Sequence, residues 1–109
     1  MSNNKYPSCD IAGGGKIFLE DSKNGEKFKI IEISAEEIKI KTDIKLELNT
    51  IVDLNIVLDS VLFEIDIKAV GKVVEKLEST EKYRIEFIGL IDEVKEQIDE
   101  IVKSTCNID

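Results

Sequence analysis

The chain has 109 residues, with 15 Lys and Arg against 23 Asp and Glu, a formal charge of −8, no His, no Trp and a single arginine, Arg84. That balance argues against nucleic acid and anionic membrane surfaces as partners, because phosphate contacts need clustered Lys and Arg. The missing imidazole excludes His-dependent triads, His general bases and His-ligated metal sites. At 42% hydrophobic and 35% charged residues the composition is that of one folded domain. A chain of this length buries roughly 65% of its unfolded surface, enough for a core without staples.

Residues 1–14, with the only proline and no apolar periodicity, read as a flexible N-terminal arm, and residues 15–109 as a single domain. From Lys16 onward apolar residues alternate with polar ones, the pattern of half-buried strands. Ile17 and Leu19 open it, followed by Phe28 and Ile30. A phase change at Ile30-Ile31 then hands the apolar set to Ile31 and Ile33, as a β-bulge requires. Ile38, Ile40, Ile44, Leu46 and Leu48 continue the period of two, and Asn49-Thr50 offers a turn. Ile51 to Leu58 predicts the next strand, Asp59-Ser60 a turn, and Leu62 to Val74 another strand in which Gly71 predicts a bulge or tight bend. Leu77 to Glu81 reads as a loop, and Tyr83, Ile85 and Phe87 as the last strand. On that strand the alternation puts Arg84 on the outer face, within reach of an acid across the sheet.

At Ile91 the period changes. Ile91, Val94, Ile98, Ile101 and Val102 share one helical face, with Asp92 and Glu93 in the first turn and Lys103 in the last, so a helix is predicted over about 91–104. Six short strands followed by one helix, without strand–helix alternation, predict an all-β architecture: an antiparallel barrel or sandwich with a terminal helix.

Candidate chemistry is sparse. Gly13-Gly14-Gly15-Lys16 fails the phosphate-loop pattern, which needs glycine where Asp10 stands and Ser or Thr where Ile17 stands, and reads as a hinge between arm and barrel. Lys16 stays a candidate for contacting an anion. The paired acids Glu36-Glu37, Asp92-Glu93 and Asp99-Glu100 are neighbours in sequence. On a strand, such neighbours point to opposite faces, unlike the facing carboxylates of acid–base catalysis. Asp21 to Gly25 carries a lysine where a calcium loop needs a ligand. Cys9 and Cys106 lack CxxC spacing and an activating base, so they read as inert thiols, with no metal and no cofactor. Tyr6 and Pro7 read equally as a docking anchor or as part of a disordered arm. The polar stretch Met1 to Asp10 is unlike a signal peptide, and the longest apolar run is three residues, as in Ile56-Val57-Leu58. The expectation is a cytoplasmic protein without membrane insertion.

The stretch Ile31-Glu32-Ile33-Ser34-Ala35-Glu36-Glu37-Ile38, then Val70-Gly71-Lys72-Val73-Val74, then Tyr83-Arg84-Ile85-Glu86-Phe87-Ile88-Gly89-Leu90 before a helix, resembles the PilZ domain family from about Lys16 to Lys103. The resemblance implies a six-stranded antiparallel barrel with a C-terminal helix. It also implies a surface that in the family commonly holds cyclic di-GMP with an N-terminal RxxxR and a [D/N]xSxxG motif. Carried over, the second motif falls on Glu32, Ser34 and Glu37, of which only Ser34 fits. The first has no counterpart: Lys5 and Cys9 stand where its arginines would lie. On a scale of about 1–3 kcal/mol per guanine-reading arginine fork, losing two weakens binding by roughly 30-fold to over 10,000-fold. The carboxylate of Glu37, where the family has glycine, would add repulsion of phosphate. The sequence therefore implies a non-enzymatic PilZ-like interaction or adaptor module with a protein partner, in bacterial signalling, motility or pilus-related regulation. The alternative is a cyclic di-GMP receptor with an atypical site built from Lys5, Lys16 and Ser34.

Overall fold

A computed structural model of the chain describes residues 13–19, 25–59, 64–77 and 81–106. The strands are β1 (Gly13–Phe18), β2 (Glu26–Ile33), β3 (Glu37–Thr42), β4 (Ile51–Asp59), β5 (Glu64–Lys76) and β6 (Lys82–Ile88), and helix α1 (Asp92–Cys106) follows them. All pairings are antiparallel and the ring β1-β2-β3-β6-β5-β4 is closed, so the expected barrel with a C-terminal helix is present. Closure leaves no strand edge open to another chain.

The alternation of the strands fills the interior. Ile17, Ile38, Ile40, Ile56, Val73 and Ile85 are fully buried, and Ile98, Ile101 and Val102 of α1 join the same core. At roughly 25 cal/mol per Å² of buried apolar surface, each such side chain contributes about 1.5–3 kcal/mol before the entropy of ordering it is subtracted. The bulge expected at Ile30-Ile31 is there, since the β2–β3 register shifts between Ile30 and Glu32.

Four expectations need correcting. The glycines are not a hinge, and the arm boundary at residue 14 falls inside a strand: Gly13, Gly14 and Gly15 belong to β1 and pair with β2, β4 or both. A Cβ on Gly14 would lie 2.5 Å from the Phe28 carbonyl oxygen, and one on Gly13 or Gly15 would overlap the carbonyl of Val57 or Asn55. Only glycine lets β1 sit this close to its neighbours.

The alternation Ile44, Leu46, Leu48 does not extend a strand. β3 ends at Thr42 and β4 begins at Ile51 on the opposite side of the ring, so the chain must cross the mouth of the barrel. Leu46 is buried there and Leu48 is half exposed. The crossing is pinned from below by the buried Tyr83, whose hydroxyl accepts from Leu46 N–H at 3.1 Å and donates to the Ile44 carbonyl at 3.4 Å. It ends at Asn49, which takes the left-handed conformation (φ 70°) that the turn needs and that Asn tolerates.

Gly71 is not a bulge, which instead lies between Val73 and Glu75. It is paired on both sides, and a Cβ there would overlap the Ile85 side chain, so close packing accounts for it. Ile91 is not on the buried helical face but is 62% exposed. It is the residue before α1, and its carbonyl accepts the first helical hydrogen bonds from Val94 and Lys95. Its side chain is therefore released outward.

Of the remaining expectations, residues 1–12, 20–24, 60–63, 78–80 and 107–109 lie outside the described residues, and with them Lys5, Tyr6, Pro7, Cys9, most of the Asp21–Gly25 stretch and Ser60. Nor is the side chain of Cys106 described.

Gly15→Ala tests the seam. The added methyl group has to push β1 from β4, and the expected loss is about 1–3 kcal/mol in urea unfolding; an unchanged midpoint would show that β1 has slack at this position.

Candidate functional site

The residues of the degenerate motif meet at the β2–β3 hairpin. Ser34 follows β2 and is 3% exposed. Its hydroxyl accepts from Glu36 N–H at 3.1 Å and Glu37 N–H at 3.2 Å, while its own N–H donates to the Glu37 carbonyl at 2.9 Å. This is a local side-chain turn of the kind Ser offers in place of backbone pairing. The hydroxyl is spent on the turn and faces the protein. The Glu36 carbonyl accepts from Phe87 N–H at 3.0 Å, fastening the hairpin to β6.

The flanking motif positions point their carboxylates outward and both have cations. Glu32 Oε2 lies 3.8 Å from Lys39 Nζ on the adjacent strand. Glu37 Oε2, at the position where glycine is expected, accepts from Arg84 Nη1 at 2.8 Å. Arg84 lies on the outer face of β6, as its alternation implies, and gathers two further carboxylates: Glu75 Oε1 on Nε at 2.9 Å and Glu86 Oε2 on Nη1 at 3.4 Å. The hydrogen bond with Glu37, then that with Glu75, holds the guanidinium still more firmly protonated than an ordinary arginine. One cation thus ties β3, β6 and β5 together on the outer wall.

Register explains the arrangement. Glu37 is opposite Glu86, Lys39 opposite Arg84, and Glu75 opposite Arg84. Without Arg84, three carboxylates would crowd one patch, with Lys72 opposite Glu86 and Lys39 diagonal to it as the nearby lysines. Glu75 and Glu86 were not singled out from the sequence. The outward position of Arg84 signals that acids surround it, but the Val73/Glu75 bulge, which decides which acids, has no sequence mark.

Lys16 is not part of this group. It is exposed on β1, opposite Lys27 and Asn55, and Lys27 is five residues before Glu32, roughly 17 Å along β2. Among the described residues, no cluster of His, Cys, Asp and Glu is arranged to hold a metal ion.

On the wall formed by β4 and β5, across the ring from β3 and β2, lies a groove of about 940 Å³. It runs between Phe18, Leu19, Val70, Ile88, Ile91 and Val94. Val70, Ile88 and Ile91 are 38%, 43% and 62% exposed there. The side-chain oxygen of Asn55, which lines the groove, is buried without a hydrogen-bond partner.

No family model matches the chain, and no curated protein matches it. Solved structures do. The inhibitor of motility MotI/DgrA from Bacillus subtilis superposes over 100% of this chain with a TM-score of 0.80 and 15% identity, and the chain spans 54% of that protein's length. The PilZ domain of YcgR from Escherichia coli, solved with cyclic di-GMP, superposes over 97% of this chain and 93% of its own, with a TM-score of 0.66 and 9% identity. The fold is that of a PilZ domain, in a sequence far diverged from both.

Glu75 and Glu86 are half exposed while Glu37 and Arg84 are only partly so, and the worth of the cluster is modest and screened by salt. Arg84→Gln is expected to cost about 1 kcal/mol in low-salt urea unfolding, and less as salt is raised; a loss insensitive to salt would mean that packing, and not charge, is what Arg84 supplies.

Proposed function

We propose that the chain is a non-enzymatic PilZ-type interaction or adaptor module that does not bind cyclic di-GMP in the usual way. The observation that carries this reading is the Glu37–Arg84 pair at 2.8 Å. Where the family has a glycine, the wall holds a carboxylate, and the cation that could meet a phosphate is engaged by three carboxylates of its own. A cyclic dinucleotide arriving here would have to displace Glu37 from Arg84 and pass the remaining anions, while Ser34 offers no outward hydroxyl.

The exposed apolar side chains Val70, Ile88 and Ile91, gathered where β5, β6 and the start of α1 meet, support a protein contact, since a group of apolar side chains left in water marks one. The neighbours support the setting: one is an inhibitor of motility and the other a PilZ domain with cyclic di-GMP bound. We accordingly place this chain in bacterial signalling, in motility or pilus-related regulation, acting in the cytoplasm on a protein partner. No helix among the described residues is long and apolar enough to cross a membrane. The alternative receptor site built from Lys5, Lys16 and Ser34 gains no support from the separation of Lys16 from the hairpin.

Calorimetry of the whole chain with cyclic di-GMP decides between the two. The expected result is no saturable heat up to about 0.5 mM ligand, a dissociation constant weaker than millimolar by order of magnitude. A low-micromolar isotherm would overturn the adaptor reading.

A further inference from the structure

The charge of −8 conceals a concentration of cations on one wall. Lys16 is opposite Lys27, Lys29 opposite Lys41, and Lys41 opposite Lys82. Lys27 and Lys29 are two residues apart on β2 and share a face. These five ammonium groups therefore form one stripe across β1, β2, β3 and β6. Lys16, Lys27, Lys29 and Lys41 are exposed. Like charges directly opposite each other destabilise a sheet, and this chain has 23 acids with which it could have relieved them. Glu81, 3.9 Å from Lys41, does so in part, and Asp43 adjoins. Between Lys27, Lys29 and Lys41 the surface sinks into a depression of about 410 Å³, bordered by Thr42 and Asp43. A local arrangement that works against stability, built around a concavity, is the mark of a surface kept for a ligand.

We propose that this lysine stripe docks a short acidic segment of a partner protein, with its carboxylates seated between Lys27, Lys29 and Lys41. The inference rests on the adaptor reading and gives the partner a chemistry. A short segment meets only the stripe. An anionic bilayer or a long nucleic acid would also meet the rest of the chain, whose ten further cations are outnumbered by the 23 acids of the whole. The stripe also lacks the arginines and stacking rings that read bases, and Phe28, the aromatic that lines the depression, is buried. Nor does it present the bulky apolar side chains that enter a membrane interface. Its Lys27, Lys29 and Lys41, on β2 and β3, lie across the ring from the β4 and β5 residues of the apolar groove, while Lys16 borders that groove beside Asn55.

The test uses the whole chain and a fluorescently labelled peptide of alternating Asp and Glu, followed by anisotropy without nucleotide. Binding at about 50 mM salt should weaken at least tenfold by about 300 mM. Changing Lys27, Lys29 and Lys41 together to Gln should cost at least about tenfold, and Lys29→Gln alone should cost less. The charge-matched change of Lys68, Lys72 and Lys95 to Gln should cost less than about twofold. Because the first set removes repulsion, its thermal midpoint should equal or exceed that of the unaltered chain. Absence of peptide binding, equal losses in the two triple variants, or preference for single-stranded DNA or phosphatidylglycerol-containing vesicles over the peptide would overturn the proposal. Failure here with cyclic di-GMP silent leaves the adaptor reading standing without this surface; peptide binding in a chain that also binds cyclic di-GMP would sink the adaptor reading and keep the stripe.

Discussion

The barrel depends on the seam where β1 slides between β2 and β4. Gly13, Gly14 and Gly15 bring its backbone close enough to touch carbonyls on both neighbours, and any side chain on that run would hold the ring open. Closure then gives every later strand an inner apolar face and an outer face that is mostly polar, and it forces the β3–β4 connection across the mouth, where Leu46 and Tyr83 seal it. The outer face on which Arg84 meets Glu37 exists because β3 and β6 are locked side by side in that ring. A glycine run that resembles a phosphate loop in sequence thus has a steric purpose, far from phosphate chemistry.

How much of this could be read in advance follows from what each signal encodes. A period of two reports which residues share a face, so the six strands, the bulge at Ile30 and the outward Arg84 were legible. It does not report where a strand stops. Ile44, Leu46 and Leu48 keep the strand rhythm while crossing the barrel mouth, because burial of Leu46 there comes from topology and not from pleating. Ile91 likewise falls on the helical period yet sits one residue before the helix, where the side chain is not bound to the buried face. At the motif, the substitutions at Glu32 and Glu37 were plain in the sequence. That one arginine answers Glu37, Glu75 and Glu86 together was not, since it requires the strand register and a second bulge.

The net charge has a comparable history. As a sum it argues against phosphate-rich partners; distributed on the barrel it resolves into an ion-paired patch around Arg84 and a lysine stripe toward the opposite mouth of the same wall. Only the first includes Glu37, a position of the degenerate motif. Three carboxylates around one arginine leave the cluster itself net negative, with little attraction for an incoming anion. The fold is shared with the neighbours of known structure although the sequences are far apart: TM-scores of 0.80 and 0.66 accompany identities of 15% and 9%.

Arg84 is already occupied by the chain's own acids. Nitrogen-detected or proton-detected NMR of its Nε–H, the only arginine signal in the protein, observes that atom directly. The expected result is a single slowly exchanging resonance that does not move when cyclic di-GMP is added to about millimolar concentration. A resonance that shifts and saturates with the nucleotide would show that Arg84 leaves Glu37 for the ligand, and would contradict it.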